Sequence, residues 1–254
     1  MRLNDKGFDV ILNATDAELE PYVTLIKDQL TEGLTQKTAY KKNFPQHSKY
    51  APDIVEELQL FGGNSILNQF RGHGVLSSEI IYDVADKLDV PYKPEDSIEL
   101  IKEGILWNLW CKALYRMSPA DREKCIRDFG MQNSGMSFVP LGNAAAMTIF
   151  QLGGFQSYQL AVIIANSVWK HLFNKGLTFA ANSTLTKALS TWAGPLGWAI
   201  TLTWATIDIA GPAYRVTIPA VIYTIMLERK RKYSIKPKAG IVNRVQGWLN
   251  WSKE

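Results

Sequence analysis

The sequence has 254 residues, of which 46% are hydrophobic and 20% are charged, and its net charge at pH 7 is +4. This apolar fraction can build a sizeable core, which excludes a disordered chain. The two cysteines, Cys111 and Cys125, match neither a zinc-ligand pair nor a disulfide framework, and the first residues lack the apolar segment of a secretory signal. We therefore expect a protein of a reducing compartment.

The charged residues are distributed unevenly along the chain. Residues 1–130 contain 16 Lys/Arg and 21 Asp/Glu, residues 131–227 contain only five charged side chains, and residues 228–254 contain eight Lys/Arg and two Asp/Glu. Charge usage in the middle zone is far below that of an average soluble domain. The pattern predicts four segments: an N-terminal helical module (1–47), a charged helical bundle (48–130), an apolar helical region punctuated by Gly and Pro (131–233) and a basic amphipathic tail (234–254).

The first half of the chain carries clear helix-start signals. Thr15 and Glu18 form a capping-box pattern, which predicts a helix start. The apolar positions that follow have helical spacing and predict one buried face: Leu19, Tyr22, Val23, Ile26 and Leu30. The segment from Lys37 to Ser48 breaks this pattern and is predicted to be a loop.

Further boundaries follow from Pro, Gly and Ser. Pro52 suits a first helical turn, and Gly62–Gly63 predicts a helix end in left-handed backbone. Ser77 or Ser78 is expected to begin a helix, and later helices are expected to begin at Ser97 and at Ser118–Pro119.

The middle zone is also predicted to be helical. The expected helices are 155–174, 177–189, 195–210 and 213–232, the last containing Pro219. No segment alternates polar and apolar residues for long enough to indicate a sheet. The predicted fold class is therefore all-α: a multi-helix bundle with an apolar helical hairpin region and a basic amphipathic C-terminal helix.

One uncharged run has the length of a membrane crossing. Residues 188–207 would extend ~30 Å as a continuous helix, but Gly194, Pro195 and Gly197 interrupt them. Three interpretations stay open: a soluble core, a helical hairpin that inserts into lipid, and a permanent span. On the membrane interpretations, lipid contact is predicted for three tryptophans: Trp192, Trp198 and Trp204.

Two charges stand out within this apolar region. Asp208 and Arg215 lie on either side of Gly211–Pro212, where an unpaired charge would be costly. We expect them to pair with each other or with Lys187 as a buried polar linkage. A proton or ion pathway is the alternative.

The C-terminal sequence is basic and periodic. Arg229, Lys230, Arg231 and Lys232 directly follow the apolar helix, a position that favours the cytoplasmic face and anionic lipid. Residues 239–254 place apolar side chains and Trp248 on one helical face, with Trp251 close by, as in an interfacial anchor. A helix that docks on a core or a partner has the same pattern. Nucleic acid is not expected, because the basic cluster is short and has no recognised binding motif.

No catalytic, cofactor-binding or metal-binding motif is present. Asn64 and Ser65 follow a Gly pair, and Arg71 and His73 lie in a Gly-rich segment, so exposed amides and a cation could bind an anion or a partner there. Turn formation alone also explains these glycines. The sequence thus predicts a non-enzymatic protein without cofactor or metal.

Two stretches resemble a known family. Residues 57–84, with the sequence Glu-Leu-Gln-Leu-Phe-Gly-Gly-Asn-Ser through Arg-Gly-His-Gly to Ile-Ile-Tyr-Asp-Val, and residues 213–221 are similar to segments of the uncharacterised bacterial YaaW-type proteins, which are distantly associated with ubiquinol–cytochrome c chaperones. The resemblance implies an all-helical protein with no catalytic residues to transfer. It also implies that the motif residues Asn64, Arg71, His73, Tyr214 and Arg215 form a shared surface or a buried polar linkage.

The sequence thus predicts a membrane-associating, chaperone-like helical protein that engages a bilayer or a membrane-protein client. We expect it in the cytoplasm, peripheral to or inserted in the inner membrane, with a homo-oligomer as a further option. One alternative is a pore-forming, toxin-like protein that inserts residues 177–227. Another is an enzyme that uses Arg71 and His73 on a phosphorylated ligand.

Overall fold

The computed structural model of the chain describes residues 5–28, 33–63, 74–128, 155–177, 197–200 and 212–234. Within these ranges every regular element is helical, so the all-α prediction is confirmed. In chain order the elements are α1 (Asp9–Leu12), α2 (Asp16–Lys27), α3 (Gly33–Gln36), α4 (Thr38–Asn43), a 3-10 turn (His47–Tyr50), α5 (Ala51–Gly62), α6 (Ser77–Lys87), α7 (Ile98–Arg116), α8 (Pro119–Asp128), α9 (Phe155–Phe173) and α10 (Pro212–Ser234).

Polar side chains cap α2, α7 and α8 at the predicted residues. The Glu18 amide donates to the hydroxyl of Thr15, and the Thr15 amide donates to the Glu18 carboxylate at 3.0 Å, which completes the capping box. Ser97 and Ser118 each accept a hydrogen bond from the amide three residues later. The α2 stripe is buried wherever it is described, at Leu19, Tyr22, Val23 and Ile26, and Leu30 lies outside the described residues.

The loop predicted for residues 37–48 is wrong, because α4 and the start of the 3-10 turn lie there. Aromatic packing explains the error. The ring of Tyr40 packs against those of Phe44 and Tyr50, at centroid distances of 5.2 and 5.3 Å. These contacts order a short polar segment that has no helical stripe of its own.

Helix α5 ends and helix α6 begins where the sequence predicts. The backbone conformation that ends α5 and the group that caps α6 differ from the prediction. Helix α5 ends at Gly62, and Gly63 is extended (φ −97°, ψ 158°) rather than left-handed. Helix α6 begins at Ser77 without a side-chain cap from its own flank. Instead, the Ser78 amide donates to the carboxylate of Asp5 at 3.1 Å, so the N-terminal segment satisfies this helix start.

Helix α10 lies at the centre of the described structure. It contacts α1, α2, α5, α6 and α7, and most extensively α9. Residues 216–227 are all buried, and the Tyr22 hydroxyl and Thr224 hydroxyl form a buried hydrogen bond of 2.7 Å. Pro219 lies within the helix, as predicted. A helix enclosed on all sides is apolar all round, which explains why this segment lacks an amphipathic stripe.

The predictions for the rest of the apolar zone have different outcomes. The helix expected at 155–174 is α9, which ends at Phe173, and the helix expected at 213–232 is α10. Residues 178–196 and 201–211 lie outside the described part of the chain, and residues 197–200 are helical. Among the helices that the structure describes, none has both the length and the apolarity that a membrane crossing needs.

The core joins segments that differ in charge. One hydrophobic cluster contains Leu19 from the predicted N-terminal module, Ile105 from the charged bundle, and Val168 and Ile222 from the apolar region. The boundaries near residues 47 and 130 therefore mark changes in composition, and the segments on either side of them share one core.

Candidate functional site

The charged end of α10 forms ion pairs with helix α7. Glu228 accepts a hydrogen bond of 2.6 Å from Lys102 Nζ. One residue further along each helix, the guanidinium of Arg229 pairs with the carboxylate of Glu103 and also contacts the Ser157 hydroxyl of α9. Each helix thus contributes one acid and one base, so the four charges compensate one another.

Arg229 is buried, with only 3% of its surface exposed, as is Lys102. Burial lowers the pKa of its guanidinium to about 10, because the charged form loses water. The group stays protonated at neutral pH, and Glu103 is the carboxylate that compensates it. This pair also joins α9 to α7 and α10, since Ser157 lies in the first turn of α9.

The next three basic residues also contact the protein itself. Lys230 Nζ donates to the Glu18 carboxylate at 2.7 Å, and Arg231 donates to the Val10 carbonyl oxygen at 2.8 Å. Lys232 lies 3.7 Å from the carboxylate of Glu103. Helix α10 is therefore attached at this end to α1, α2 and α7.

These contacts correct the interpretation of residues 229–232 as a lipid-facing cluster. Arg229 is buried, so its charge faces Glu103 rather than solvent, and Lys230 and Arg231 are partly buried against the N-terminal helices. Only Lys232 keeps an exposed side chain. The physical reason is that α2 and α7 bring carboxylates to the position where the basic run leaves the apolar helix.

The predicted buried linkage at the start of α10 needs a second correction. Arg215 is exposed, so it needs no buried partner. Tyr214 is half-buried, and Lys87 Nζ lies 5.1 Å from the centre of its ring. Burial, followed by the charges of Asp83 and Asp86, raises the pKa of Tyr214. Asp208 lies outside the described residues.

The structure describes few of the other predicted site residues. Trp198 is exposed over 62% of its surface, as a lipid or partner contact would require. The remaining positions lie outside the described residues: Asn64, Ser65, Arg71, His73, Trp192, Trp204, Trp248 and Trp251.

His47 carries no functional signal in the sequence, and the structure buries it between two polar groups. Its Nε2 contacts the carboxylate of Glu20, and its Nδ1 contacts the hydroxyl of Tyr50. The Ser48 amide also donates to Asp16 at 2.7 Å. Asp16 and Glu20 lie four residues apart on one exposed face of α2. This spacing is the feature of the sequence that indicates a shared polar contact at that face. The arrangement fixes the 3-10 turn against α2.

Lys37 forms a second polar cluster that the sequence did not indicate. Its ammonium group pairs with Glu56 and lies 3.5 Å from Glu57 and 3.7 Å from Asp53. Burial raises the pKa of Glu57, although Lys37 opposes this shift. The backbone at Gly33 approaches Glu57 so closely that a Cβ there would lie 2.4 Å from its carboxylate oxygen. The cluster joins α3, α4 and α5.

The described residues contain no group of three or more His, Cys, Asp or Glu side chains that could hold a metal ion. Cys111 is a free thiol on α7, and burial raises its pKa to about 12. A thiol with so high a pKa is a poor nucleophile at neutral pH. The polar groups that the structure brings together thus hold helices to one another.

Comparison with known proteins identifies the family. The chain is 41% identical over 210 residues to a UPF0174 protein of Helicobacter pylori J99, an alignment that covers 83% of each chain. The chain belongs to the UPF0174 family. A second UPF0174 protein of the same strain is 37% identical, over 80% of this chain and 99% of the relative. UPF0174 protein YaaW of Escherichia coli K12 is 27% identical, over 89% of this chain and 95% of its own.

These relatives confirm the resemblance to YaaW-type proteins, and the names of these UPF0174 proteins state no activity. No family model matches the chain, and no solved structure matches it.

Proposed function

We propose that this UPF0174 protein is a non-enzymatic, membrane-associating helical protein, which engages a bilayer or a membrane-protein client as a chaperone or assembly factor would. It acts at the cytoplasmic face of the inner membrane. The observation that carries the proposal is the separation of charge. Residues 155–169 of α9 and 216–227 of α10 contain no charged side chain, whereas the helices around them carry most of the acids and bases.

This arrangement encloses two apolar helices within amphipathic ones. The contacts of Ser157 with Arg229 and of Trp169 with Tyr223 follow opposite chain directions, so α9 and α10 pack antiparallel. The exposed Trp198 belongs to the same uncharged zone, and tryptophan favours the headgroup layer of a membrane. The basic amphipathic pattern of residues 239–254 adds an interfacial anchor.

The test compares the full chain with a chain ended after Ser234, a position that leaves α10 complete. Membranes from cells that make each form are washed with carbonate, and the purified proteins are sedimented with anionic and with neutral vesicles. A peripheral protein is stripped by carbonate and binds anionic vesicles, and the shortened chain binds them more weakly. The proposal is wrong if the full chain stays in the soluble fraction and binds neither type of vesicle.

Two alternatives remain distinguishable in the same experiment. Resistance to carbonate together with dye release from vesicles would favour pore formation by residues 177–227. A pore formed by several copies would then show as an increase in the mass of the membrane-bound protein. An enzyme acting on a phosphorylated ligand would lose its function on replacing His73 with Ala. A His73→Ala variant that keeps normal function in the cell would count against the enzyme.

A further inference from the structure

Helix α4 and the 3-10 turn present an exposed aromatic ring surrounded by lysines. Phe44 is exposed over 51% of its surface, and the Lys27 ammonium lies 5.5 Å from the centre of its ring. Lys41, Lys42 and Lys49 are exposed around the same turn. We call this surface the Phe44 face, made of Lys27, Lys41, Lys42, Phe44 and Lys49.

These lysines differ from those at the end of α10, because no ion pair holds them within the part of the chain that the structure describes. Residues 33–52 contain four lysines and no carboxylate. Lys37 is occupied by the acids of α5, but none of the four lysines of the Phe44 face forms an ion pair within the described residues. Lys41 donates to the neutral side chain of Gln36, at 2.6 Å.

Two acids of α2 beside the turn, Asp16 and Glu20, support it. Asp16 accepts the Ser48 amide, and this hydrogen bond is the main reason why the pKa of Asp16 is lowered, with a smaller effect of Lys49. Glu20 contacts His47, whose ring is tilted against the Phe44 ring at a centroid distance of 5.9 Å. The Phe44 ring therefore belongs to a turn that is held by α2, with the ammonium group of Lys27 near the ring and three exposed lysines in the flanking sequence.

We propose that the Phe44 face is a docking surface for the anionic headgroup layer of a lipid bilayer, an inference that rests on the membrane association proposed above. Lysines near an anionic surface attract it individually, and a phenyl ring contributes apolar contact at headgroup depth. Stable anchoring generally takes two weak signals. The Phe44 face and the amphipathic sequence of residues 239–254 supply one each.

The shape of the face favours lipid over a macromolecular partner. A nucleic-acid platform stacks successive bases on several aromatic rings, but Tyr40 is only partly exposed and Tyr50 is buried. A protein partner would need an interface of roughly 800 Å² on each side with a packed aromatic or Arg centre. A bilayer needs no matching shape, so one exposed ring among lysines is sufficient.

The test measures binding of the full chain to vesicles of mixed phosphatidylglycerol and phosphatidylcholine. The double variant Lys41→Glu with Lys42→Glu is compared with Lys6→Glu and Lys93→Glu, which change the net charge equally at exposed lysines outside the face. Each lysine contributes about fivefold at an anionic surface, so the first pair should weaken binding at least tenfold and the control pair less than about threefold. An equal loss in both pairs, or no loss in either, would overturn the docking surface.

A second comparison tests the ring. Phe44→Ser should weaken binding several-fold and should do so at high salt as well, because the contact it removes is apolar. Tyr115→Ser is the control, since Tyr115 is also exposed. A Phe44→Ser variant that binds as well as the unchanged chain would contradict the proposal.

The outcomes separate the docking surface from the proposed function. If the full chain binds vesicles and all surface variants bind equally, the docking surface is wrong and membrane association stands. If the full chain binds no vesicles, both proposals fail. If it ignores vesicles but binds a single-stranded oligonucleotide that the Lys41/Lys42 variant does not bind, the partner is a nucleic acid and the lipid assignment is overturned.

Discussion

Two segments of this protein are both rich in basic residues, but the structure gives their side chains different partners. The run from Arg229 to Lys232 ends an apolar helix, and the lysines between residues 37 and 49 surround a proline-containing turn. The first run is held by carboxylates and a carbonyl oxygen of other helices, whereas the second keeps three lysines exposed and without an ion pair among the described residues. The basic side chains of such a segment are thus free to bind a partner only where no carboxylate of the same chain forms an ion pair with them.

The difference lies in what packs against each segment. The end of α10 meets α2 and α7, which bring Glu18 and Glu103 to it. The turn after α4 meets the acids of α2 through Ser48 and His47 instead, so those acids bind an amide and an imidazole. Four measurements test whether the two segments differ in this way.

Replacing Arg229 with Ala should have the largest effect. It leaves Glu103 without the guanidinium that compensates it in a buried position, and breaking a buried pair in this way costs about 3–5 kcal/mol. Unfolding in urea would measure the loss of stability. Arg215→Ala on the same helix is the control and should change stability by less than about 0.5 kcal/mol, because Arg215 is exposed. A cost below about 1 kcal/mol for Arg229→Ala would show that the pair does not hold α10.

Replacing Lys102 with Met should come next. The Lys102 side chain is buried, and its partner Glu228 would lose a charged hydrogen bond worth about 1–3 kcal/mol. Lys112→Met on the same helix is matched in size and charge. Lys112 pairs with the exposed Asp89 and donates to the Leu88 carbonyl oxygen at 2.6 Å, but its side chain is part-exposed, so its loss should cost less than the loss of the buried Lys102. Equal costs in urea unfolding would remove the distinction between the two lysines.

The Glu18–Lys230 pair predicts a pH dependence. Burial would raise the pKa of Glu18, but hydrogen bonds from Lys230 and the Thr15 amide lower it overall. A lowered folded-state pKa stabilises the protein above the ordinary carboxyl pKa, and this contribution disappears as the pH falls through the lowered value. Glu18→Gln can keep the capping box and should cost about 0.5–1 kcal/mol at pH 7. Thermal unfolding from pH 7 to pH 3 should show the two proteins converging, and a constant difference would contradict the assignment.

The smallest effect is expected at the Phe44 face. Lys41→Ala and Lys42→Ala should each change stability by less than about 0.5 kcal/mol, because neither side chain is buried or ion-paired within the described residues. Thermal unfolding measures this directly. A loss as large as that of Arg229→Ala would mean that these lysines are structural and would remove the contrast between the two basic segments.

Local signals predicted the elements well and their partners poorly. The capping box at Thr15, the caps at Ser97 and Ser118 and the helix over residues 155–174 depend on neighbouring residues, so the sequence contains the relevant information. The Asp5 carboxylate at the start of α6 could not be predicted, because the contact joins residues far apart in the chain. The ordered turn around His47 was missed for the same reason.

The candidate site was predicted less well than the fold. The sequence placed a basic cluster correctly after an apolar helix, but it could not show that Glu103 and Glu18 would meet that cluster. The expectation of a buried Arg215 followed from the apolar composition around it, whereas the first turn of α10 leaves its side chain in solvent. Burial is a property of the position in the packed structure, which composition alone does not specify.

The sequence by itself determined that this protein is helical, where most of its described helices begin, and that its middle third is nearly free of charge. These properties depend on residue types and on spacing along the chain. Only the tertiary structure decided that α10 is the central helix, that its basic end is neutralised by α2 and α7, and that the lysines around Phe44 remain exposed. Ion pairing and burial depend on which distant residues meet, and that follows from packing.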